Sequence, residues 1–206
     1  MNQDSRSAGT VRPGGRTARV RAAVLEATQD ELMERGFHGL VMDHVASRAG
    51  VGKTTLYRRW GTTAGLVTDL MRELAEQSAP HADTGTIEGD LRAHAANVLH
   101  GITDERLGPT LEAMITAATC DGGAADALRA FYVRRIHEWE ECVDLAIARG
   151  ELPPGTDGEE VIRAVSAPIY YRLLVTREVI DAAVAERAAL RTLAAARAGA
   201  FVGPNT

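Results

Sequence analysis

The apolar positions of this chain repeat with one period from end to end. Beginning near residue 17, Leu25, Thr28 and Leu32 step by three and four, and Val20, Val24 and Met33 widen the stripe. That spacing predicts one buried face of an α-helix. Gly36, in "ERGFHG", falls where a helix ends in a left-handed residue. A short helix over 42–49 turns Val45 and Ala46 inward, and Gly50 stops it. A third, over 53–60, carries Leu56 and Trp60 toward the same core. A fourth, over 63–77, runs through Leu66, Val67, Leu70, Met71 and Leu74. Pro80 and "HADTGT" then mark a junction.

Beyond it the period continues through helices over 87–102, 109–119 and 124–149. The last shows a broad apolar face of Leu128, Phe131, Tyr132, Ile136, Trp139 and Val143. Gly150, Pro153 and Pro154 break the pattern, and Asp157 with Glu160 resembles a capping box opening the next helix. That helix, 158–176, should kink at Pro168, which lacks an N–H and crowds the preceding turn. An Ala-rich helix over 181–197 closes the series. No segment alternates with a period of two. The pattern predicts an all-α fold of about nine helices. It divides into a basic, disordered arm (1–16), a helix-turn-helix domain of three short helices with the helix that follows (17–78), and a helical body (79–206).

Composition agrees: 45% hydrophobic residues with only 4% aromatic favours helix formers over strand formers. No apolar run approaches the roughly 20 residues that cross a bilayer, and the first twenty residues lack the apolar stretch of a secretory signal, so a cytoplasmic location is expected. Two cysteines, Cys120 and Cys142, imply no disulfide framework. Neither has a cationic neighbour in sequence to hold a thiolate. The net charge of −5 argues against a nucleic-acid partner until it is divided. Residues 1–60 hold ten basic and six acidic side chains, a balance of +4, against −9 over the rest. A basic end on an acidic body suits a protein that meets phosphate at one end.

The chemistry is concentrated in "AGVGKTTLYRRW", residues 49–60, which holds the chain's single lysine, Lys53. Gly-Lys-Thr is also how a nucleotide-binding loop ends. Such a loop needs a glycine five residues before Gly52, where this chain has Ser47, and a buried strand leading in. "LVMDHVASRA" scatters Asp43, His44 and Arg48 through a helical pattern instead, leaving a nucleotide-hydrolysing enzyme as the remote alternative. A helix-turn-helix absorbs more of the residues. Ala46 is small where helices cross, Gly50 makes the turn, and Val51 and Leu56 are buried. Lys53, Thr54 and Thr55 then stand at the N-terminus of a helix able to enter a major groove. Tyr57, Arg58 and Arg59 follow where a hydroxyl and two guanidinium groups reach phosphate or guanine. Taken singly, Tyr57 also suits packing, and the arginines a solvated face.

Residues 17–77 resemble the N-terminal domain of the TetR family of one-component transcriptional regulators, through "ERGF", "VASRAGVGKTTLYRRW" and a helix opened near Thr63. The resemblance implies a homodimer on a palindromic double-stranded DNA operator. It also implies a small-molecule pocket in the body and a dimer interface built largely from the last two helices. Two positions depart from the family pattern. Val41 stands where a capping Thr is common, with Asp43 placed to compensate through the helix dipole. Gly61, Thr62 and Thr63 stand where Pro-x-Lys is common, leaving Thr63 to cap the fourth helix and donate one hydrogen bond to phosphate. Arg12, Arg16, Arg19 and Arg21 extend the contact toward a minor groove, or form only a basic tail.

In the body, Met114, Phe131, Tyr132, Trp139, Tyr170 and Tyr171 are candidates for an apolar pocket with polar tips, each an ordinary core residue otherwise. "HEWEEC" places His137 and Glu141 one helical turn apart, too few ligands for a metal site, so neither metal nor cofactor is expected. The reading is a repressor released from its operator by a small molecule. A DNA-binding activator, or a regulator without a ligand, is the alternative.

Overall fold

The computed structural model describes residues 15–78 and 82–203. Nine α-helices account for most of them: α1 (Gly15–Arg35), α2 (Met42–Arg48), α3 (Lys53–Trp60), α4 (Thr63–Gln77), α5 (Ile87–Thr103), α6 (Leu107–Ala118), α7 (Gly122–Ala148), α8 (Gly158–Tyr171) and α9 (Ala182–Arg197). Among the described residues there is no β-strand, only an isolated antiparallel bridge between Thr156 and Val202. The all-α fold follows the helical period of the sequence. The proposed arm lies outside the described residues except for Gly15 and Arg16, which form the first turn of α1. Pro80, at the proposed junction, lies outside them as well.

Helix ends are set by local chemistry. Gly36, Gly50 and Gly150 hold left-handed φ values of 67°, 65° and 76° after α1, α2 and α7, a conformation that costs glycine little. Side-chain caps open five helices: Thr62, Thr86, Asp121, Asp157 and Asp181 each accept a hydrogen bond from a backbone N–H in the first turn. Asp157 accepts from Glu160 N at 3.0 Å. The cap of α4 is Thr62, not Thr63, because Thr63 is already helical. α8 continues through Pro168 to Tyr171 and widens into a π-type turn at Arg172–Thr176. The period had read these two stretches as one helix.

Among the described residues the buried apolar side chains form two cores. One gathers Val24, Leu32, Val45, Leu56, Leu66 and Leu70 from α1–α4 with Leu111, Met114 and Phe131 from α6 and α7. The other joins Ile87 and Leu91 of α5, Trp139 and Val143 of α7, Val161 and Val165 of α8, and Leu193 of α9. α7 spans both. The first core therefore crosses the expected boundary near residue 78, and the N-terminal helices share packing with the body.

Candidate nucleic-acid interface and the cavity behind it

α2 and α3 are joined by Ala49–Gly50–Val51–Gly52. The Val51 N–H donates to Ala46 O at 3.0 Å, and left-handed Gly50 reverses the chain. Leu56 is fully buried and anchors α3. Around it, Lys53, Thr54, Tyr57, Arg58 and Arg59 are exposed and Thr55 is half-buried. Tyr57 keeps 48% of its surface open, too much for a packing residue. Thr63 is half-buried in the first turn of α4. Six of the seven candidates thus share one short helix, and the seventh lies just past its end. The "GKTT" segment is a turn and a helix start, with helical Ser47 where a phosphate loop would need glycine.

Two caps of this unit lack side-chain hydrogen bonds, those provided by Val41 for α2 and Gly52 for α3. Asp43, in the first turn of α2, accepts from Lys53 Nζ at 2.5 Å. This contact, the largest cause, raises the Lys53 pKa and ties the start of α3 to α2. Arg59 lies over the Trp60 ring, 4.8 Å from its centroid.

The other end of α3 is held by one carboxylate. Asp69, on α4, accepts from Trp60 Nε1 at 2.9 Å and from Arg21 Nε and Nη2 at 3.1 and 2.9 Å. Arg72 also donates to it, and Arg21 donates to Glu73. Burial opposes ionisation of Asp69, but the bonds from Arg21 and Trp60 outweigh it and lower its pKa. The Asp69 contact likewise raises the pKa of Arg21. Arg21 is therefore a structural clasp between α1 and α4, whereas the sequence had offered it as part of a basic arm. Gly65 is required alongside: a Cβ there would stand 2.1 Å from Trp60 O.

Behind this unit lies a cavity of about 830 Å³ walled by α1, α4, α5, α6, α7 and α8. Phe131, Tyr132 and Tyr170 line it, with the Tyr132 and Tyr170 rings edge to face at 5.7 Å. Met114, Trp139 and Tyr171 do not. Met114 is fully buried in the first core, Trp139 is buried in the second, and Tyr171 is 56% exposed. An apolar side chain on a helical stripe packs against whichever neighbour is nearest, and sequence period does not distinguish a wall from a core.

The polar walls were missed by the aromatic reading. His94 Nε2 lies 2.9 Å from Ser166 Oγ, and Ser166 spends its one proton on Ile162 O at 3.0 Å. His94 is thus the donor through Nε2–H, and Nδ1 has no hydrogen-bond partner. Burial, then the charge of Arg135, lowers its pKa to about 3, so the ring is neutral near pH 7. Arg135 donates to Glu138 Oε2 at 2.7 Å, and its side chain is only 11% exposed. The signal for it was present: Arg135 lies between Phe131 and Trp139 on the same i, i+4 row of α7.

The cavity also touches the N-terminal helices directly. Gln29 of α1 and Leu74 and Gln77 of α4 are walls. Arg106, another wall, donates to Gln29 Oε1 at 3.3 Å and to Asp30 Oδ1 at 2.8 Å. Elsewhere, His137 pairs with Glu140 rather than Glu141. No cluster of three or more metal-ligating residues occurs among the described residues. Cys142 is buried, its thiol pushed up to about 12 by desolvation. Cys120 is exposed with His38 Nε2 3.3 Å from its sulfur, a neighbour invisible in sequence because 82 positions separate them.

An exposed basic helix after a tight turn, set on a helical body with a cavity, defines a helix-turn-helix regulator. Residues 24–70 match the family described as "Bacterial regulatory proteins, tetR family", and residues 81–192 match "Tetracyclin repressor-like, C-terminal domain". The HTH-type transcriptional regulator YdeS of Bacillus subtilis is 32% identical over 77% of this chain and 80% of its own. AqdR of Rhodococcus erythropolis, also an HTH-type transcriptional regulator, is 30% identical over 75% of this chain and 74% of its own. The crystal structure of the TetR family regulator SCO0332 superposes with a TM-score of 0.69 at 29% identity, covering 85% of this chain and 97% of that one. The chain belongs to the TetR family and is a DNA-binding transcriptional regulator. No helix among the described residues is long and apolar enough to cross a membrane.

Proposed function

We propose that this protein is a homodimeric repressor that leaves a palindromic operator when a small molecule fills the body cavity. The observation that carries this reading is the placement of α4. Its Asp69 clasps Trp60 at the end of α3, and its last turn, Leu74 and Gln77, walls the cavity. One rigid element thus touches both the reading helix and the ligand space. A ligand that binds better when α4 is displaced shifts the population away from the DNA-binding state by its differential affinity.

Lys53, Thr54, Thr55, Tyr57, Arg58 and Arg59 are the groups offered to DNA, with Thr63 beside the backbone. Lys53 exchanges its Asp43 contact for phosphate, which a solvent-screened surface ion pair permits. Phe131, Tyr132 and Tyr170 are offered as apolar walls of the effector site. The last two helices are offered as the dimer interface, where exposed Tyr171, Val175 and Leu190 would find cover. The protein acts in the cytoplasm on this reading, as a regulator rather than an enzyme. DNase footprinting on the DNA flanking its own gene, with and without candidate effectors, tests the proposal. Protection of an inverted repeat that an effector abolishes is expected. Protection that no effector alters would remove the ligand from the account.

A further inference from the structure

The cavity has an uneven charge. Arg106, Arg135 and Arg163 line it, and Asp104 is its single acidic wall. Asp104 is already engaged, because its Oδ1 accepts from the backbone N–H groups of Arg106 and Leu107 at 2.9 and 2.7 Å. Two of the cations are also committed at about half exposure: Arg106 to Asp30, and Arg163 to Glu159 and Glu160. Arg135 is paired as well, with Glu138 at 2.7 Å, but it is enclosed, its side chain only 11% exposed. Phe131, Tyr132, Ile136, Ile162 and Tyr170 are walls of the same cavity. The His94 ring, held neutral by burial and by the charge of Arg135, adds no charge of its own. A guanidinium among apolar walls is costly to keep dry. It repels a cationic ligand and gives a neutral one no compensation for its desolvation. A carboxylate-like group matches its planar donors.

We infer that the effector is an amphipathic organic anion, with a ring-sized apolar body packed on Phe131, Tyr132 and Ile162 and one acidic group on Arg135. The inference rests on the effector-cavity reading above and names the chemistry of that site. The volume, about 830 Å³, is within the range for drug-sized ligands.

Two dyes that differ by one group test this. 8-Anilinonaphthalene-1-sulfonate is N-phenyl-1-naphthylamine with an added sulfonate, and both brighten in apolar surroundings. Titrated into the full-length protein, the sulfonate dye is expected to bind at least ten-fold more tightly, although its charge makes it the better hydrated of the two. Arg135→Gln should bring the ratio to within about two-fold by weakening the sulfonate dye alone. Arg135→Lys should retain part of the preference, and far-UV circular dichroism verifies that both variants fold. Ala167→Trp, which fills the cavity from α8, should remove both dyes and so separates cavity binding from binding to surface arginines. Equal affinities in the natural protein, or a preference that survives Arg135→Gln, would overturn the anion and leave the cavity as an effector site. Failure of both dyes to bind, or binding unaffected by Ala167→Trp, would overturn the cavity reading and this inference with it.

Discussion

Tyr57 and Arg58 are exposed beside a buried Leu56, so their removal should be felt by DNA and hardly by the fold. Arg58→Ala is expected to cost about 1–3 kcal/mol of operator binding, and Tyr57→Phe about 1 kcal/mol for one lost hydrogen bond. Gel-shift titration measures both. Surface substitutions of this kind usually move stability by no more than about 0.5 kcal/mol, so a large fall in melting temperature would place these residues in the core. His94 makes the opposite case, silent on the surface and coupled to stability. Its pKa falls from an ordinary 6.5 to about 3 on folding, so between these values the unfolded chain binds a proton that the folded chain does not. Stability contributed by the neutral ring is complete above pH 6.5 and declines as pH falls, with a limiting slope of about 1.4 kcal/mol per pH unit. His94→Gln should flatten the slope of denaturation free energy between pH 6.5 and 5, above the range where carboxylates dominate. An unchanged slope would mean that His94 is not desolvated.

At the scale of elements, α3 is eight residues long and has no side-chain cap, so its position depends on its neighbours. The Asp69 clasp supplies one end of that support. Asp69→Ala leaves the Trp60 N–H and the Arg21 guanidinium without their acceptor. A loss of about 3 kcal/mol is expected, the low end for a broken buried pair because Arg21 keeps some solvent contact. Urea denaturation measures it, and operator affinity should fall too because the reading helix loses its anchor. Gly65→Ala tests the same junction by crowding it, since the new Cβ meets a backbone carbonyl that only a shift of α3 or α4 can relieve; about 1–3 kcal/mol is expected. This scale also shows what the sequence could convey. Helical period located the nine helices of the described residues because each keeps an apolar face for nearest-neighbour packing, and "VASRAGVGKTTLYRRW" located the turn because Gly50 and Leu56 have local roles. The Asp69–Arg21 clasp was not legible, since its partners lie 48 positions apart and a lone Asp in a helix reads as surface. The cavity was half legible: aromatic residues on helical stripes were visible, but not whether Phe131 faced a space and Met114 a neighbour.

For the whole molecule, the continuity of packing between the N-terminal helices and the body has the largest consequence. Leu111, Met114 and Phe131 share a core with Val24, Leu56 and Leu70, and Gln29 and Leu74 share a cavity with His94 and Tyr170. On the proposed effector reading, a ligand in that space meets both halves of the molecule at once, and linkage makes its coupling to DNA reciprocal: operator binding should weaken effector binding by the same factor. The charge asymmetry of the chain, +4 over residues 1–60 and −9 over the rest, suits a protein that meets DNA with its N-terminal end. The most direct test is a DNase footprint of the natural protein and Arg58→Ala on DNA flanking its own gene. The account predicts that the natural protein protects an inverted repeat whose half-sites are one helical turn apart, about 34–36 Å, and that Arg58→Ala needs several-fold more protein for the same protection. Absence of protection at any inverted repeat, or equal protection by both proteins, would contradict it.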